Sequence, residues 1–188
     1  MIKIMKYDFI IIGSGIIGLT LAYKLKKTKS NAKILILEKE YNSIQHGSGR
    51  NSGVIHSGIY YDPGSLRATL GMQGGIELKE YIKTKKLWID ECGKILIPIS
   101  IHSNDNTENL YQRGIQNGVM VKKLSHKEIQ QLEPNVNIQY DTGLLIPFTS
   151  VADPKEVSNS LINDLKDLGV QIIYNKNLKK ISDEGKTV

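Results

Sequence analysis

The stretch GSGIIG, residues 13–18, decides the fold of this chain. It follows a β-branched apolar run at residues 7–12 and opens a helical pattern, and a second apolar run follows at residues 33–38. A strand, a glycine-rich turn, a helix and a second strand within about 30 residues form a βαβ unit. The spacing therefore predicts an α/β protein with a Rossmann-like, nucleotide-binding sheet.

Three glycines of this stretch match a dinucleotide-binding fingerprint. Gly13 permits the tight turn, Gly15 lets the backbone approach a pyrophosphate, and Gly18 allows the helix to pack closely on the strand. Glu38 follows Gly18 by 20 residues, where an acid accepts hydrogen bonds from a ribose and disfavours the 2′-phosphate of NADP. The alternative is a glycine-rich turn of a generic α/β protein, in which Glu38 only caps the next segment.

A second informative stretch is GRNSGVIHSGIYY, residues 49–61, in which apolar residues alternate with glycines and polar residues. Arg50, Asn51 and Ser52 could bond phosphates or ring carbonyls, and the apolar residues indicate burial against something flat. His56 adds an imidazole that titrates near neutral pH, so it is the candidate general base. The alternative is a polar surface loop in which His56 makes a structural hydrogen bond.

Basic and aromatic residues near this stretch are candidate contacts for an anionic substrate. Arg50 and Arg67 are the closest basic residues in sequence, and Tyr60 and Tyr61 either line a pocket or only pack. Arg113 falls in a predicted helix, and we expect it to be solvated. The histidines show no metal-ligand spacing, so no metal site is predicted.

The composition is that of an ordinary globular protein. The 188 residues are 40% hydrophobic and have a net charge of +6. Scattered lysines favour a solvated surface over a nucleic-acid footprint, and no apolar run approaches the ~20 residues of a membrane span. Cys92 is the only cysteine, so no intrachain disulfide can form. We expect a cytoplasmic location, with peripheral contact at the inner membrane left open, and no nucleic-acid partner.

The chain is expected to divide into three segments. Residues 1–86 form the cofactor-binding portion, residues 87–149 a strand-rich insert belonging to a substrate domain, and residues 150–188 a return to the first domain. Within them, the patterns predict helices at 66–82, 104–116 and 154–168, and strands at 88–100, 143–148, 171–174 and 178–181. A bend or bulge is expected at Cys92–Gly93, within the strand at 88–100. A turn signal at 183–186 is typical of the middle of a hairpin, so we expect the chain to be part of a longer protein.

Apolar residues at helical spacing also mark one face of each of two helices, and the face of the second helix is imperfect. In the helix that follows the glycine-rich turn, the expected face consists of Ile17, Leu21 and Leu25. In the helix at 66–82, it consists of Leu66, Leu70, Ile76, Leu78 and Ile82. A capping box at Ser125 and Glu128 predicts a short additional helix.

These stretches together resemble one family. The chain is similar to the N-terminal part of the L-2-hydroxyglutarate oxidases/dehydrogenases, which are flavoproteins of the D-amino-acid-oxidase superfamily. The similarity is strongest at residues 48–61 with 63–66, and it covers essentially the whole chain. The other matching stretches are 7–9, 13–18, 37–40, 92–94, 114–118, 124–125, 132–134 and 142–143.

The resemblance implies a bound FAD and the oxidation of L-2-hydroxyglutarate, a 2-hydroxy acid, to 2-oxoglutarate by hydride transfer to flavin N5. His56 is the implied base, and Tyr60 and Arg67 are the candidate substrate contacts. The residues assigned to FAD are Gly13, Gly15, Ile16, Gly18, Glu38, Lys39, Arg50, Asn51, Ser52, Gly53 and Leu178. Of these, Ser52 and Gly53 would lie towards the isoalloxazine, and Leu178 would contact the adenine.

Other functions stay open at this point. The same fold could act on glycerol 3-phosphate or on an amino acid, and the final electron acceptor could be oxygen or a quinone. A truncated fragment that binds nucleotide without chemistry is a second class, and an NAD-binding module is a third. Residues 49–61 make the NAD-binding module the least favoured of these.

Overall fold

The computed structural model describes residues 6–98, 101–139 and 142–181, without the side chains of residues 101–105. The chain forms two compact units. The first unit consists of Met1–Ser52 and Pro154–Val188, and the second unit of Gly53–Asp153. Each unit is described below by itself.

The described part of the chain contains both strands and helices. The strands are β1 (Phe9–Ile12), β2 (Ile34–Leu37), β3 (Val54–Ile55), β4 (Ile89–Asp90), β5 (Lys94–Leu96), β6 (Lys122–Ser125), β7 (Thr142–Ile146), β8 (Ser150–Ala152) and β9 (Gln171–Ile173). The helices are α1 (Ile16–Thr28), α2 (Leu66–Thr84), α3 (Ile101–Gln116), α4 (His126–Leu132) and α5 (Pro154–Asp167). A 3₁₀ turn spans Gly47–Gly49.

The first unit contains the predicted Rossmann-like βαβ arrangement. Its sheet has the order β1-β2-β9, and both neighbouring pairs are parallel. The central strand β2 buries Ile34, Leu35 and Ile36, as expected for a nearly continuous apolar strand in a parallel sheet. Helices α1 and α5 pack against each other. The α/β class expected from the sequence is therefore confirmed.

Helix α5 begins and ends where the sequence signals place it. Pro154 is its first residue, and Val157, Leu161 and Leu165 are buried. Gly169 adopts a φ of +74°, and its amide donates to the Lys166 carbonyl. This is the left-handed helix end that glycine accepts without strain. The strand expected at 178–181 is wrong, because residues 174–181 form no strand after β9 ends.

Most of the apolar residues that mark a face of α1 or α2 are exposed. Ile17 and Leu21 are exposed, and α1 buries Leu19 and Ala22 instead. Helix α1 has apolar residues on more than one side, so their spacing does not choose a face. In α2 the exposed residues are Leu66, Leu70 and Ile76. The buried residues of α2 are Ala68, Gly75, Lys79 and Ile82.

The second unit contains two antiparallel three-stranded sheets, β3-β8-β4 and β5-β7-β6. The single strand expected at 88–100 is divided into β4 and β5, which belong to different sheets. The predicted bend lies between them, where Gly93 has a φ of +73° and donates its amide to the Thr149 carbonyl. One core cluster consists of Ile59, Val119, Val121, Leu144 and Ile146.

The remaining predicted elements agree with the structure, except that the unit boundary differs. The capping box at Ser125 and Glu128 opens α4. Residues 53–86 pack with 87–153, because β3 pairs with β8 and α2 contacts β4. Which segment holds a cofactor and which a substrate stays a prediction. The turn expected at 183–186 lies outside the described residues.

Within the described part of the chain, no helix combines the length and apolar character needed to cross a membrane.

Candidate active site

The glycine-rich turn of the first unit has the geometry that its sequence predicts. Gly13 adopts a φ of +100°, and its amide donates to the Leu37 carbonyl at 2.8 Å. A Cβ on Gly18 would lie 2.1 Å from the Gly13 carbonyl oxygen, so no side chain fits there. The two glycines thus bring the start of α1 against the turn that follows β1.

The start of α1 is open on one side and capped on the other. A Cβ added to Gly13 would meet no atom within 4 Å, so the turn presents bare backbone. The Ser48 hydroxyl accepts the Ile16 amide at 3.0 Å and would lie 3.1 Å from a Cβ on Gly15. A helix N-terminus with exposed backbone is a ready anion site. The role of Ser48 was missed, because its loop composition alone does not indicate a helix cap.

Glu38 is tied to the same turn. The Ser14 amide and hydroxyl donate to Glu38 Oε2 at 2.7 and 2.8 Å, and the Glu40 amide donates to Oε1 at 3.0 Å. Burial raises the pKa of the Glu38 carboxyl, but these hydrogen bonds outweigh burial and hold the pKa below its ordinary 4.5. Glu38 is therefore an anion in position to accept further hydrogen bonds. Ser14, a variable position of the fingerprint, was missed.

The other predicted cofactor residues are more exposed. Lys39 pairs with Glu40 at 3.7 Å, and the Asn51 side-chain amide donates to the Gly47 and Ser48 carbonyls. The remaining members are Arg50 and Ser52, which are exposed, Gly53, which accepts the Ala152 amide, and Leu178, which is 40% exposed in an irregular segment. Their assignment to a cofactor stays a prediction.

The first unit thus has features that fit a dinucleotide cofactor. The open turn at Gly13 and the N-terminus of α1 suit a pyrophosphate, and ionised Glu38 suits the hydroxyls of a ribose. Two observations support this fit. The backbone at Gly13 is open to a ligand because no side chain covers it, and hydrogen bonds keep the Glu38 carboxylate ionised.

The second unit contains the candidate base. His56 follows β3 directly and lines a cavity of ≈ 220 Å³ together with Gly71, Gly74 and Gly75 of α2. A Cβ on Gly74 would meet nothing within 4 Å, whereas one on Gly75 would lie 3.1 Å from the Phe148 ring. The absence of side chains on this side of α2 leaves space beside the imidazole.

A lysine that the sequence did not single out acts on this histidine. Partial desolvation, and then repulsion from the Lys94 ammonium, lowers the pKa of His56 below its ordinary 6.5. Lys94 Nζ donates to the Tyr60 hydroxyl at 3.2 Å and lies 4.6 Å from the centre of that ring. The structure therefore brings Tyr60 together with Lys94, whose charge reaches His56. The bend expected at 92–93 and the family resemblance at 92–94 marked this region, but neither gave Lys94 a role.

The two arginines of the second unit differ in their surroundings. Arg113, expected to be solvated, is half-buried, donates to the Tyr60 carbonyl at 2.9 Å and pairs with Asp62 at 3.4 Å. Arg67 is exposed in the first turn of α2. Among the described residues, no hydrogen bond or ion pair joins Arg67 to His56 or Tyr60. Its substrate role stays a prediction.

A sequence profile described as FAD dependent oxidoreductase matches residues 8–188. The chain belongs to the FAD-dependent oxidoreductase family. The expected oxidoreductase class and FAD as the family's cofactor are thereby confirmed. Within the described residues, no group of three or more His, Cys, Asp or Glu side chains could hold a metal ion.

Curated members of the family with similar sequences are L-2-hydroxyglutarate dehydrogenases. The chain is 37% identical to the mitochondrial enzyme of Pongo abelii and covers 42% of it with 93% of its own residues. It is 40% identical to the Dictyostelium discoideum enzyme, and the match covers 40% of that enzyme and 92% of this chain. It is 34% identical to an Escherichia coli enzyme, and the match covers 42% of that enzyme and 94% of this chain. The similarity expected from the sequence is confirmed. The chain spans about two fifths of the length of these relatives.

Two solved structures have a similar fold. The dithionite-reduced L-α-glycerophosphate oxidase from Mycoplasma pneumoniae, with FAD bound, matches with a TM-score of 0.80 and 31% identity, over 91% of this chain and 45% of that one. L-proline dehydrogenase from P. horikoshii matches with a TM-score of 0.79 over 93% of this chain and 45% of that one, at 21% identity, which supports the fold alone.

Proposed function

We propose that the protein oxidises L-2-hydroxyglutarate to 2-oxoglutarate with FAD as its cofactor. The observation behind this proposal is the 34–40% identity to L-2-hydroxyglutarate dehydrogenases over 92–94% of the chain. Because the chain spans about two fifths of those relatives, the activity is proposed for the full-length protein. The geometry of Gly13, Glu38 and His56 supports the proposal, since each has the conformation or charge that the reaction needs.

The first unit binds and orients the cofactor in this proposal. The N-terminus of α1 holds the pyrophosphate, with Gly13 and Gly15 giving close approach, and Glu38 accepts hydrogen bonds from the ribose. FAD, when bound, supplies the acceptor for the hydride that leaves the substrate Cα. Ser14 keeps the Glu38 carboxylate ionised and aimed, so it is a positioning residue for this contact.

His56 takes the proton of the substrate hydroxyl. Oxidation of the alcohol breaks two bonds: the hydride leaves Cα with the bonding pair, and the hydroxyl proton leaves as the carbonyl forms. A histidine accepts a proton only in its neutral form, and the lowered pKa of His56 favours the neutral imidazole. The cavity beside Gly71 and Gly74 provides space for a substrate next to this imidazole.

Oxygen and a quinone are the two candidates for the final electron acceptor. A quinone acceptor would require peripheral contact with the membrane that contains it, whereas oxygen would not. Reoxidation of the reduced protein by air or by a soluble quinone distinguishes the two.

A second candidate substrate is glycerol 3-phosphate. The solved structure of L-α-glycerophosphate oxidase from Mycoplasma pneumoniae is 31% identical to this chain. Both candidate substrates are anionic secondary alcohols, so they need the same base and hydride acceptor. They differ in the anion, which is a carboxylate in one and a phosphate in the other.

The test is an anaerobic absorbance measurement on the purified full-length protein. Flavin bands that bleach with L-2-hydroxyglutarate, but not with its D-enantiomer or with glycerol 3-phosphate, support the proposal. Bleaching by glycerol 3-phosphate alone would transfer the proposal to the second candidate. A folded protein that binds no flavin would overturn both.

A further inference from the structure

Lys94 is held in one place by two kinds of contact with a single ring. Its Nζ donates to the Tyr60 hydroxyl at 3.2 Å, and the same ammonium lies 4.6 Å from the ring centre. The backbone is fixed as well, because Lys94 pairs with Ile146 in the β5–β7 ladder. The long lysine side chain is therefore oriented before any ligand arrives.

The charge of Lys94 has no anionic partner in the described part of the chain. Glu91, three residues earlier, forms ion pairs with Lys79 at 3.3 Å and with Lys83 at 2.7 Å. Glu133 lines the same cavity of ≈ 350 Å³ as Lys94 and Cys92, but no ion pair joins it to Lys94. An ammonium has three donors, and Tyr60 uses one of them.

The position of this charge beside the candidate base is informative. Partial desolvation lowers the pKa of His56, and repulsion from the Lys94 ammonium adds to it, so the positive potential of Lys94 reaches the imidazole. An anionic substrate is attracted by the same potential. A second, independent observation is that both Lys94 and Tyr60 are partly accessible, so a ligand can reach them.

We propose that Lys94 is a substrate-binding residue, whose ammonium, oriented by Tyr60, binds a carboxylate of the 2-hydroxy acid next to His56. This inference rests on the proposed function and adds a residue to it. The carboxylate replaces water on the two remaining ammonium donors, and Tyr60 stays in contact throughout. A charge-assisted hydrogen bond is stronger than a neutral one, so loss of the ammonium should weaken substrate binding by about 10- to 100-fold.

The experiment compares four forms of the full-length, FAD-loaded protein: wild type, Lys94→Met, Lys94→Arg and Lys127→Met. Lys127 is exposed on α4, so Lys127→Met removes one positive charge without touching the site. The probe is glutarate, a dicarboxylate with no hydroxyl to oxidise, and its dissociation constant is measured by calorimetry. We expect about 10- to 100-fold weaker binding in Lys94→Met, an intermediate effect in Lys94→Arg and no change in Lys127→Met.

Tyr60→Phe tests the contact that orients Lys94. It also keeps the inference testable if Lys94→Met does not fold. Tyr60→Phe keeps the ring but removes the hydroxyl, so it should weaken glutarate binding by a few-fold and leave the fold intact. Unchanged binding in folded Lys94→Met would overturn the inference. If Lys94→Met does not fold, unchanged binding in both Lys94→Arg and Tyr60→Phe would overturn it instead.

The two proposals fail in distinguishable ways. If L-2-hydroxyglutarate bleaches the wild-type flavin and the Lys94 variants bind glutarate normally, the proposed function stands and the role of Lys94 is wrong. If glutarate binding depends on Lys94 but L-2-hydroxyglutarate does not bleach the flavin, Lys94 binds carboxylates and the proposed function is wrong.

Discussion

Ser14 donates two hydrogen bonds to Glu38, one from its amide at 2.7 Å and one from its hydroxyl at 2.8 Å, and the same carboxylate oxygen accepts both. Ser14 lies in the glycine-rich turn and Glu38 directly follows β2, so the pair joins the ends of two neighbouring strands. Both side chains are buried. The contact therefore links the glycine-rich turn to the acid that we propose binds the ribose. Four of our predictions concern this unit or His56.

Ser14→Ala should weaken FAD binding without unfolding the protein. The hydroxyl contact with a charged acceptor is lost while the backbone contact stays, so we expect about a 10-fold rise in the dissociation constant. The pKa of Glu38 should rise towards 4.5, because one hydrogen bond that lowers it is removed. Flavin fluorescence titration measures the affinity. Ser30→Ala, in an exposed loop, is the control, and equal affinities in the two variants would contradict the prediction.

Gly18→Ala should abolish flavin binding and destabilise the first unit. The new Cβ would lie 2.1 Å from the Gly13 carbonyl oxygen, so α1 has to move away from the turn. Gly47→Ala is the matched control, since a Cβ there meets nothing within 4 Å. Flavin content after purification and thermal unfolding measure the effect. A flavin-loaded Gly18→Ala protein with wild-type stability would be inconsistent with the described packing.

His56→Gln should slow flavin reduction while the flavin stays bound. Loss of a general base typically costs about 10²- to 10⁴-fold in rate, and His56 lies outside the unit that holds the glycine-rich turn. Stopped-flow reduction by L-2-hydroxyglutarate measures the rate constant, and His126→Gln serves as the control. An unchanged rate constant would assign the base to another residue.

The rate of flavin reduction should depend on pH with a defined sign. Neutral His56 is the active form, so the rate constant is full above its pKa and falls as the pH drops through it. Because that pKa is lowered from 6.5, the falling limb should lie below pH 6.5. In Lys94→Met the repulsion is gone, and the limb should move to higher pH. If the rate constant of Lys94→Met falls at the same pH as that of the wild type, Lys94 does not affect the pKa of His56.

Ser125→Ala should loosen α4 locally. The capping box joins Ser125 and Glu128 reciprocally, and loss of an N-cap costs about 1 kcal/mol. The same hydrogen bonds lower the pKa of Glu128 to about 2. Its contribution is therefore complete above pH 4.5 and is lost as the pH falls towards 2. Hydrogen exchange of the α4 amides, compared at pH 7 and pH 3, measures both effects. Equal protection with and without Ser125 would contradict this account.

The sequence predicts features whose cause is local. The turn at 13–18, the acid at 38 and the ends of α5 follow from glycine conformations, spacing and capping, which neighbouring residues determine. These features suffice for the fold class and for the candidate cofactor contacts.

Features that depend on distant residues could not be predicted in this way. Lys94 and Tyr60 are 34 residues apart and meet only because the second unit folds, so no spacing rule relates them. The exposed Ile17 and Leu66 show the same limit, since an apolar residue in a helix does not reveal what packs on it. Residues 178–181 likewise form no strand, because no strand in the described part of the chain pairs with them.

The discontinuity of the first unit has a consequence for its synthesis. The sheet partner of Leu37 on one side is Ile173, so about 136 residues must be translated after Leu37 before β2 gains its second neighbour. At roughly 5–20 residues per second, the ribosome needs on the order of 7 to 27 s for that length. During this time one edge of β2, a wholly apolar strand, is unpaired. Because an unpaired strand edge is a template for pairing with another chain, the nascent first unit is open to such pairing until β9 emerges.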